Sequence, residues 1–72
     1  MKQFEIREGH TYSNGKSGLE RVCRYVRRIK STPGFAGSVE YTVCYCGGEV
    51  VDSHYTVIKR PSFARWAKED VT

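Results

Sequence analysis

Basic side chains are concentrated in the segment Leu19–Lys30, which holds a single acidic residue, Glu20. Arginine suits the binding of phosphate and carboxylate groups because its planar guanidinium pairs with two oxygens at once. The chain has a formal net charge of +4, which also favours a polyanionic partner. We therefore predict a nucleic-acid-binding strip formed by Lys16, Arg21, Arg24, Arg27, Arg28 and Lys30.

The same basic strip allows two other interpretations. An acidic protein partner would bind the same arginines, so the alternative function is a protein-interaction or host-modulating adapter without a nucleic-acid role. A solvated charged face that only keeps a small protein soluble is the purely structural interpretation. An affinity for nucleic acid that falls steeply with salt would favour the first hypothesis, because phosphate contacts release counterions.

A second group of residues could bind a metal. Cys44 and Cys46 form a C-x-C pair, and Asp52 and His54 follow shortly after them. Zinc takes four such ligands, but structural zinc sites usually space their cysteines as C-x2-4-C. We therefore expect no metal and no other cofactor, and these four residues are the candidate ligands if a metal binds. The odd number of cysteines predicts free thiols at Cys23, Cys44 and Cys46.

The sequence contains no recognisable catalytic constellation. His10 and His54 are the only histidines, and neither stands in a motif with a nucleophile. The loop Ser13–Gly18 (SNGKSG) lacks the G-x4-G-K-[ST] spacing of a phosphate-binding loop. We therefore expect a binding module and not an enzyme.

The length of the chain limits what it can fold into. Its 72 residues predict one small domain over residues 1–72, with a core too small to enclose an active-site cavity. The opening MKQFEIREGH is charged throughout and predicts neither a signal peptide nor a membrane anchor. We expect a cytoplasmic protein that does not bind membranes, and the sequence leaves its oligomeric state open.

Two strands are predicted to form a hairpin in the second half of the chain. Ser38–Cys46 alternates apolar and polar residues with period 2, and a second strand covers about Val50–Ile58. A three-residue loop, Gly47–Glu49, separates apolar from polar side chains better than a two-residue loop does. This register pairs Tyr45 with Val51, Tyr41 with Tyr55 and Val39 with Val57.

The segment Leu19–Ile29 is compatible with two conformations. Its apolar residues recur at the i, i+3, i+4 and i+7 positions of a helix, whereas its β-branched and aromatic residues favour a strand. A preceding strand at about His10–Tyr12 and the turn-rich loop Ser13–Gly18 also favour the strand. A regular strand would place Arg24 and Arg28 on one face and Arg21 and Arg27 on the other.

A short helix is predicted over about residues 61–69. Pro61 suits its first turn, and Phe63, Trp66 and Ala67 recur at helical spacing. Asp70 is unfavourable near a helix C-terminus, so the last residues are expected to fray. A second turn-rich loop is predicted at Ser31–Gly37. The predicted core consists of Tyr12, Val39, Tyr41, Val43, Val51, Tyr55, Val57, Phe63 and Trp66.

Four short motifs follow one another along the chain: Glu8–Tyr12 (EGHTY), Arg21-Val22, Val39–Tyr41 (VEY) and Phe63–Ala67 (FARWA). Their order resembles that of small phage and prophage proteins with an SH3-like β-barrel. The resemblance implies an α+β, mostly β fold, in which a strongly bent antiparallel sheet or SH3-like barrel of four or five strands is capped by a C-terminal helix. It also implies an origin in a mobile element, but it implies no reaction, because such barrels serve many functions.

Overall fold

The computed structural model describes residues 1–32, 34–47, 49–50 and 54–72. Their backbone forms five strands and one α-helix, with a 3-10 turn before each of the first two strands. The strands are β1 Thr11–Ser13, β2 Cys23–Thr32, β3 Phe35–Cys44, β4 Thr56–Lys59 and β5 Glu69–Asp70. The helix is α1 Arg60–Trp66, and the 3-10 turns are Gln3–Glu5 and Gly18–Glu20.

The five strands form one antiparallel sheet in the order β4-β3-β2-β1-β5. Four strands follow one another as a meander, and β5 returns after the helix to pair with β1. The prediction of a mostly β fold with a C-terminal helix is therefore confirmed. Within the described residues β4 and β5 are the two edges of the sheet and do not pair with each other, so the sheet is open.

The segment with two predicted conformations forms a strand over most of its length. Residues 23–32 are β2, and the Gly18–Glu20 turn precedes them. Val26 and Ile29 both pack on the helix side of the sheet, although residues three apart in a regular strand face opposite sides. A β-bulge between Val26 and Arg28 explains this spacing. The helix-like periodicity in the sequence therefore comes in part from an irregular strand.

The bulge also decides which way the arginines of β2 face. Val26 pairs with Tyr41 and Arg28 pairs with Glu40, so Arg27 is the extra residue of β2. Arg27 reaches the Glu40 carboxylate and therefore lies on the same side as Arg28. The expectation that Arg24 and Arg28 share a face is wrong, because it assumed an unbroken alternation along the strand.

The helix packs on one side of the sheet through a cluster of aromatic rings. Phe63 is fully buried, and its ring lies 5.7 Å from Tyr12 and 5.7 Å from Tyr41, centroid to centroid. The helix begins one residue before Pro61 and ends at Trp66. The buried core cluster consists of Ile6, Tyr12, Val26, Val39, Tyr41, Phe63, Ala64 and Ala67, with Met1, Ile29, Ile58 and Trp66 partly buried against it.

The predicted core is correct for Tyr12, Val39, Tyr41 and Phe63 and wrong at several other positions. Tyr55 and Val57 are 44% and 61% exposed. Tyr41 pairs with Thr56 and Val39 with Ile58, so the register differs by one residue from the predicted one. A shift of one residue exchanges the two faces of a strand, which brings Ile58 to the helix side instead. Val43 is also exposed, Trp66 is only partly buried, and Val51 lies outside the described residues.

The turn-rich loop predicted between β2 and β3 lies largely within the sheet. The loop expected at Ser31–Gly37 is shorter, because β2 extends to Thr32 and β3 begins at Phe35. Gly37 lies in a second bulge of this hairpin with a φ of +87°. A Cβ atom at this position would overlap the Lys30 carbonyl oxygen. Glycine is therefore required here both by backbone conformation and by space.

The prediction that the last residues fray is wrong, because Glu69–Asp70 form a strand. Asp70 is the Cα partner of Tyr12, and its carboxylate lies 2.8 Å from His10 Nδ1. The Thr72 hydroxyl donates a hydrogen bond to the same carboxylate at 2.6 Å. Asp70 thus stabilises the pairing of β5 with β1. The helix ends at Trp66, so the negative end of its dipole does not act on the Asp70 carboxylate.

Cys23 and Cys46 form a disulfide bond that joins the start of β2 to the turn after β3. The prediction of three free thiols is wrong for this pair, and Cys44 is the free cysteine. Cys23 pairs directly with Cys44 in the sheet, and the turn brings Cys46 back to a Cα–Cα distance of 5.3 Å from Cys23. This distance lies within the range that disulfides require.

Within the described ranges, no helix has both the length and the apolar character needed to span a bilayer.

Candidate nucleic-acid interface

The side of the sheet away from α1 carries a shallow depression of about 100 Å³. It lies where the middle strands β2 and β3 meet β4. The residues that line it are Arg28, Lys30, Ser38, Glu40 and Val57. We call this surface the basic face, and by register and contact it also includes Arg27, Tyr55 and Lys59.

Two lysines flank a hydroxyl residue across three strands of the basic face. Ser38 of β3 is the Cα partner of Lys30 on β2 and of Lys59 on β4. Directly paired Cα atoms of antiparallel strands lie about 5 Å apart, so the two lysines are about 10 Å from each other at the backbone. Lys30 and Lys59 are exposed. This row therefore presents two ammonium groups on either side of a hydroxyl.

Arg27 is held in place by two neighbours on the basic face. Its Nη1 lies 3.3 Å from Glu40 Oε1, and its guanidinium carbon lies 4.0 Å from the centre of the Tyr55 ring. An exposed ion pair of this kind contributes about 0–1 kcal/mol. The contact with Tyr55 adds a cation–π interaction of similar size. Arg27 is thus oriented over an aromatic ring that is itself 44% exposed.

The other cations of the basic face have no acidic partner among the described residues. Arg28, Lys30 and Lys59 take part in none of the salt bridges that the described part of the chain makes. Among the residues that define this face Glu40 is the only carboxylate, and it is bound to Arg27. The Glu8 carboxylate accepts a hydrogen bond from the Ile29 backbone N–H, beside Arg28 and Lys30 in the sequence, but it forms no salt bridge with either. The face therefore keeps a net positive charge that is open to solvent.

Arg24 lies on the other side of the sheet, although the sequence placed it in the same strip. Its guanidinium carbon lies over the rings of Tyr41 and Trp66, at 4.5 Å and 4.1 Å from their centroids. Burial lowers the pKa of Arg24, and the charge of Tyr41 opposes this effect. Arg24 is therefore not part of the basic face.

Arg21 and Lys16 lie in the connection between β1 and β2, away from the basic face. Arg21 Nη2 is 3.9 Å from Glu69 Oε1, at the beginning of β5. Lys16 is exposed in the loop after β1. Arg21 precedes β2 and Lys30 lies near its end, so at about 3.3 Å per residue the two are roughly 30 Å apart. The predicted strip is thus divided into three separate groups, and the basic face contains only Arg27, Arg28 and Lys30 of it.

The candidate metal ligands do not converge in the described structure. The sulfur of Cys46 is bonded to Cys23, and Cys44 is buried. Burial raises the pKa of the Cys44 thiol, although a hydrogen bond with Thr11 opposes this effect. His54 is exposed, and Asp52 lies outside the described residues. No cluster of three or more potential ligands occurs among residues 1–32, 34–47, 49–50 and 54–72.

Five members of the basic face were not identified from the sequence, namely Ser38, Glu40, Tyr55, Val57 and Lys59. Lys59 lies outside the basic segment, and Tyr55 and Val57 were assigned to the core. The register between β3 and β4 would have identified Tyr55, Val57 and Lys59, because one step of register moves these three residues to the face with Arg28.

The chain matches no family model, no curated protein and no solved structure.

Proposed function

We propose that the protein is a non-enzymatic binding module that contacts nucleic acid through the basic face. The observation that carries this proposal is the row Lys30–Ser38–Lys59 beside Arg28, in which the cations have no acidic partner among the described residues. Lysine and arginine side chains bind phosphate oxygens, and a serine hydroxyl can donate a hydrogen bond to the same group.

The apolar part of the face supports the same proposal. Tyr55 presents an aromatic ring and Val57 an aliphatic side chain, and both are exposed next to the cations. Proteins that bind single strands combine a positive groove along the backbone with rings on which bases stack. On this basis the phosphates lie over Arg28, Lys30 and Lys59, and a base contacts Tyr55.

A relation to small phage or prophage proteins with an SH3-like barrel is part of this proposal. Its support is the chain order of the elements, in which a four-stranded meander is followed by a short helix and by a last strand that returns to β1. Phe63 in the helix and Ala67 directly after it, both from the FARWA motif, are buried, as a capping role requires. A cytoplasmic location is proposed with the nucleic-acid partner, although the Cys23–Cys46 disulfide is of a kind that is rare in this reducing compartment.

A salt titration of binding tests the proposal. Fluorescently labelled single-stranded DNA, single-stranded RNA and duplex DNA of mixed sequence are titrated with the protein between 50 and 300 mM salt, as read by anisotropy. We expect log K to fall linearly with log salt, with a slope of about −0.7 for each single-strand phosphate contact. For the variant Lys30→Gln/Lys59→Gln, the slope should be less steep by the contribution of about two such contacts.

The matched control is Lys16→Gln/Lys68→Gln, which removes the same charge from exposed positions away from the basic face. If both double variants weaken binding equally, net charge and not the basic face determines the affinity. No binding at the lowest salt would overturn the proposal. Capture of a protein partner that survives nuclease treatment and depends on Lys30 and Lys59 would favour the adapter function instead.

A further inference from the structure

The guanidinium group of Arg24 lies over two aromatic rings, and its donors have no acceptor among the described residues. The guanidinium carbon lies 4.1 Å from the centre of the Trp66 ring and 4.5 Å from that of Tyr41. No described residue accepts a hydrogen bond from it, and it takes part in no salt bridge of the described residues. Its Nε is buried without a hydrogen-bond partner.

The open side of this group is its edge. Only Nε is among the buried and unpartnered polar atoms of the described residues, so the terminal Nη atoms keep access to solvent. The N–H groups of a guanidinium lie in its plane, and contacts of aromatic rings with its face do not use these donors. Such a group is already oriented for an incoming pair of oxygens, whereas a flexible arginine must be ordered on binding.

The surroundings of Arg24 are apolar. Val43 is its Cα partner on β3, faces the same side of the sheet and is 45% exposed. Trp66 is partly buried and contacts the guanidinium group. Tyr12 and Val39 on the same side of the sheet are completely buried, whereas Val43 next to Arg24 is not. A ligand that reaches the Arg24 edge would thus also contact aliphatic and aromatic surface.

We infer that Arg24, in contact with the rings of Tyr41 and Trp66, is a binding site for an organic oxyanion, a carboxylate or phosphate group attached to an apolar body. This site is separate from the basic face, because Arg24 and Arg28 face opposite sides of the sheet. The two oxygens of the ligand pair with the outward donors of the guanidinium, and the apolar body lies against Val43. Carboxylate and phosphate share this chemistry, and the experiment distinguishes them.

The test uses two probes with the same apolar body, benzoate and phenyl phosphate, with benzyl alcohol as the uncharged control. Trp66 is the only tryptophan, so its fluorescence reports directly on the site. At constant ionic strength we expect a saturable change with at least one of the two anions and none with the alcohol. A response to only one anion identifies the oxyanion that the site takes.

Arg24→Gln is expected to weaken the binding about tenfold or more, as for the loss of a charge-assisted hydrogen bond. Arg28→Gln removes the same charge from the other side of the sheet and should change the affinity less than twofold. Equal weakening by the two variants, or the absence of a saturable change in the unaltered protein, would overturn the inference.

Nuclear magnetic resonance of the unaltered protein gives a result that does not depend on the folding of any variant. The Arg24 side-chain N–H resonances should shift during the same titration. A fluorescence change without such a shift would place the probe elsewhere and also overturn the inference. Failure of this site leaves the basic-face proposal untouched, because the two are tested with different ligands and different variants.

Discussion

Arg27 and Arg28 are adjacent in the sequence, and both side chains lie on the same side of the sheet. The bulge opposite Glu40 causes this arrangement, because it inserts Arg27 as an extra residue into β2. Without the bulge, one of the two arginines would be directed toward the helix side, where α1 packs. The bulge therefore concentrates positive charge on the basic face and keeps both Val26 and Ile29 in or against the core.

Glu40 is expected to limit the affinity of the basic face for polyanions. The variant Glu40→Gln removes the carboxylate that is paired with Arg27 and releases this arginine. Affinity for nucleic acid at low salt should rise about threefold or more, while the free energy of unfolding changes by about 1 kcal/mol or less, because an exposed ion pair contributes little. Anisotropy and urea unfolding measure the two quantities. Glu20→Gln, in the turn before β2, is the control, and an equal rise there would show that only net charge matters.

The disulfide is expected to contribute substantially to stability. Cys23 and Cys46 are 23 residues apart, and closing a loop of that length in the unfolded chain corresponds to about 3 kcal/mol. Cys46→Ser should lower the free energy of unfolding by about this amount, and a reducing agent should do the same to the unaltered protein. Intact-mass measurement after alkylation in denaturant should find only the Cys44 thiol modified before reduction. Alkylation of all three cysteines without reduction would show that the bond is absent.

Gly37 is expected to tolerate no side chain. In Gly37→Ala the new Cβ meets the Lys30 carbonyl oxygen, and the residue must also keep a positive φ. We expect a loss of about 2 kcal/mol or more in the free energy of unfolding. Gly34→Ala is the control in the same hairpin, because Gly34 has a similar φ of +78° but open space around it. It should cost about 1 kcal/mol. Equal losses would mean that the close approach at Gly37 has no effect.

Asp70 is expected to make stability depend on pH in the acid range. Burial raises its pKa, but hydrogen bonds from Thr72 and His10 outweigh burial and lower the pKa below its usual value. The stabilisation is therefore complete above the unfolded pKa of about 3.9 and is lost as the pH falls through the lower folded value. Asp70→Asn should be less stable than the unaltered protein at pH 6, and the difference should shrink toward pH 2. A difference that stays constant with pH would contradict this assignment.

The parts of the fold that were predicted correctly are those with regular local patterns. The alternation of Val39, Tyr41 and their neighbours identified β3, and Pro61 with Phe63 identified the helix. The conformation of β2 could not be decided from its sequence, because the bulge at Arg27 gives a strand the apolar spacing of a helix. A bulge depends on contacts with the neighbouring strand, and no local pattern specifies it.

The candidate site was predicted only in part for a related reason. The sequence identifies basic residues along one strand, but a face of a sheet is assembled from several strands. Lys59 is part of the face because of the register of β4. Arg24 is not part of it, because the bulge at Arg27 places Arg24 and Arg28 on opposite sides of the sheet. The disulfide was missed because the distance between Cys23 and Cys46 is set by the hairpin and not by their separation in the chain.

The pairing of β5 with β1 has a consequence for the order in which the protein can fold. Tyr12 and Asp70 are partners in the sheet, although almost the whole chain lies between them. During synthesis β1 can pair with β2 early, but its other edge stays unpaired until residues 69–70 have left the ribosome. Unpaired strand edges are sites of association between chains. The outer edge of β1 is therefore open to association with other chains until the short strand β5 pairs with it.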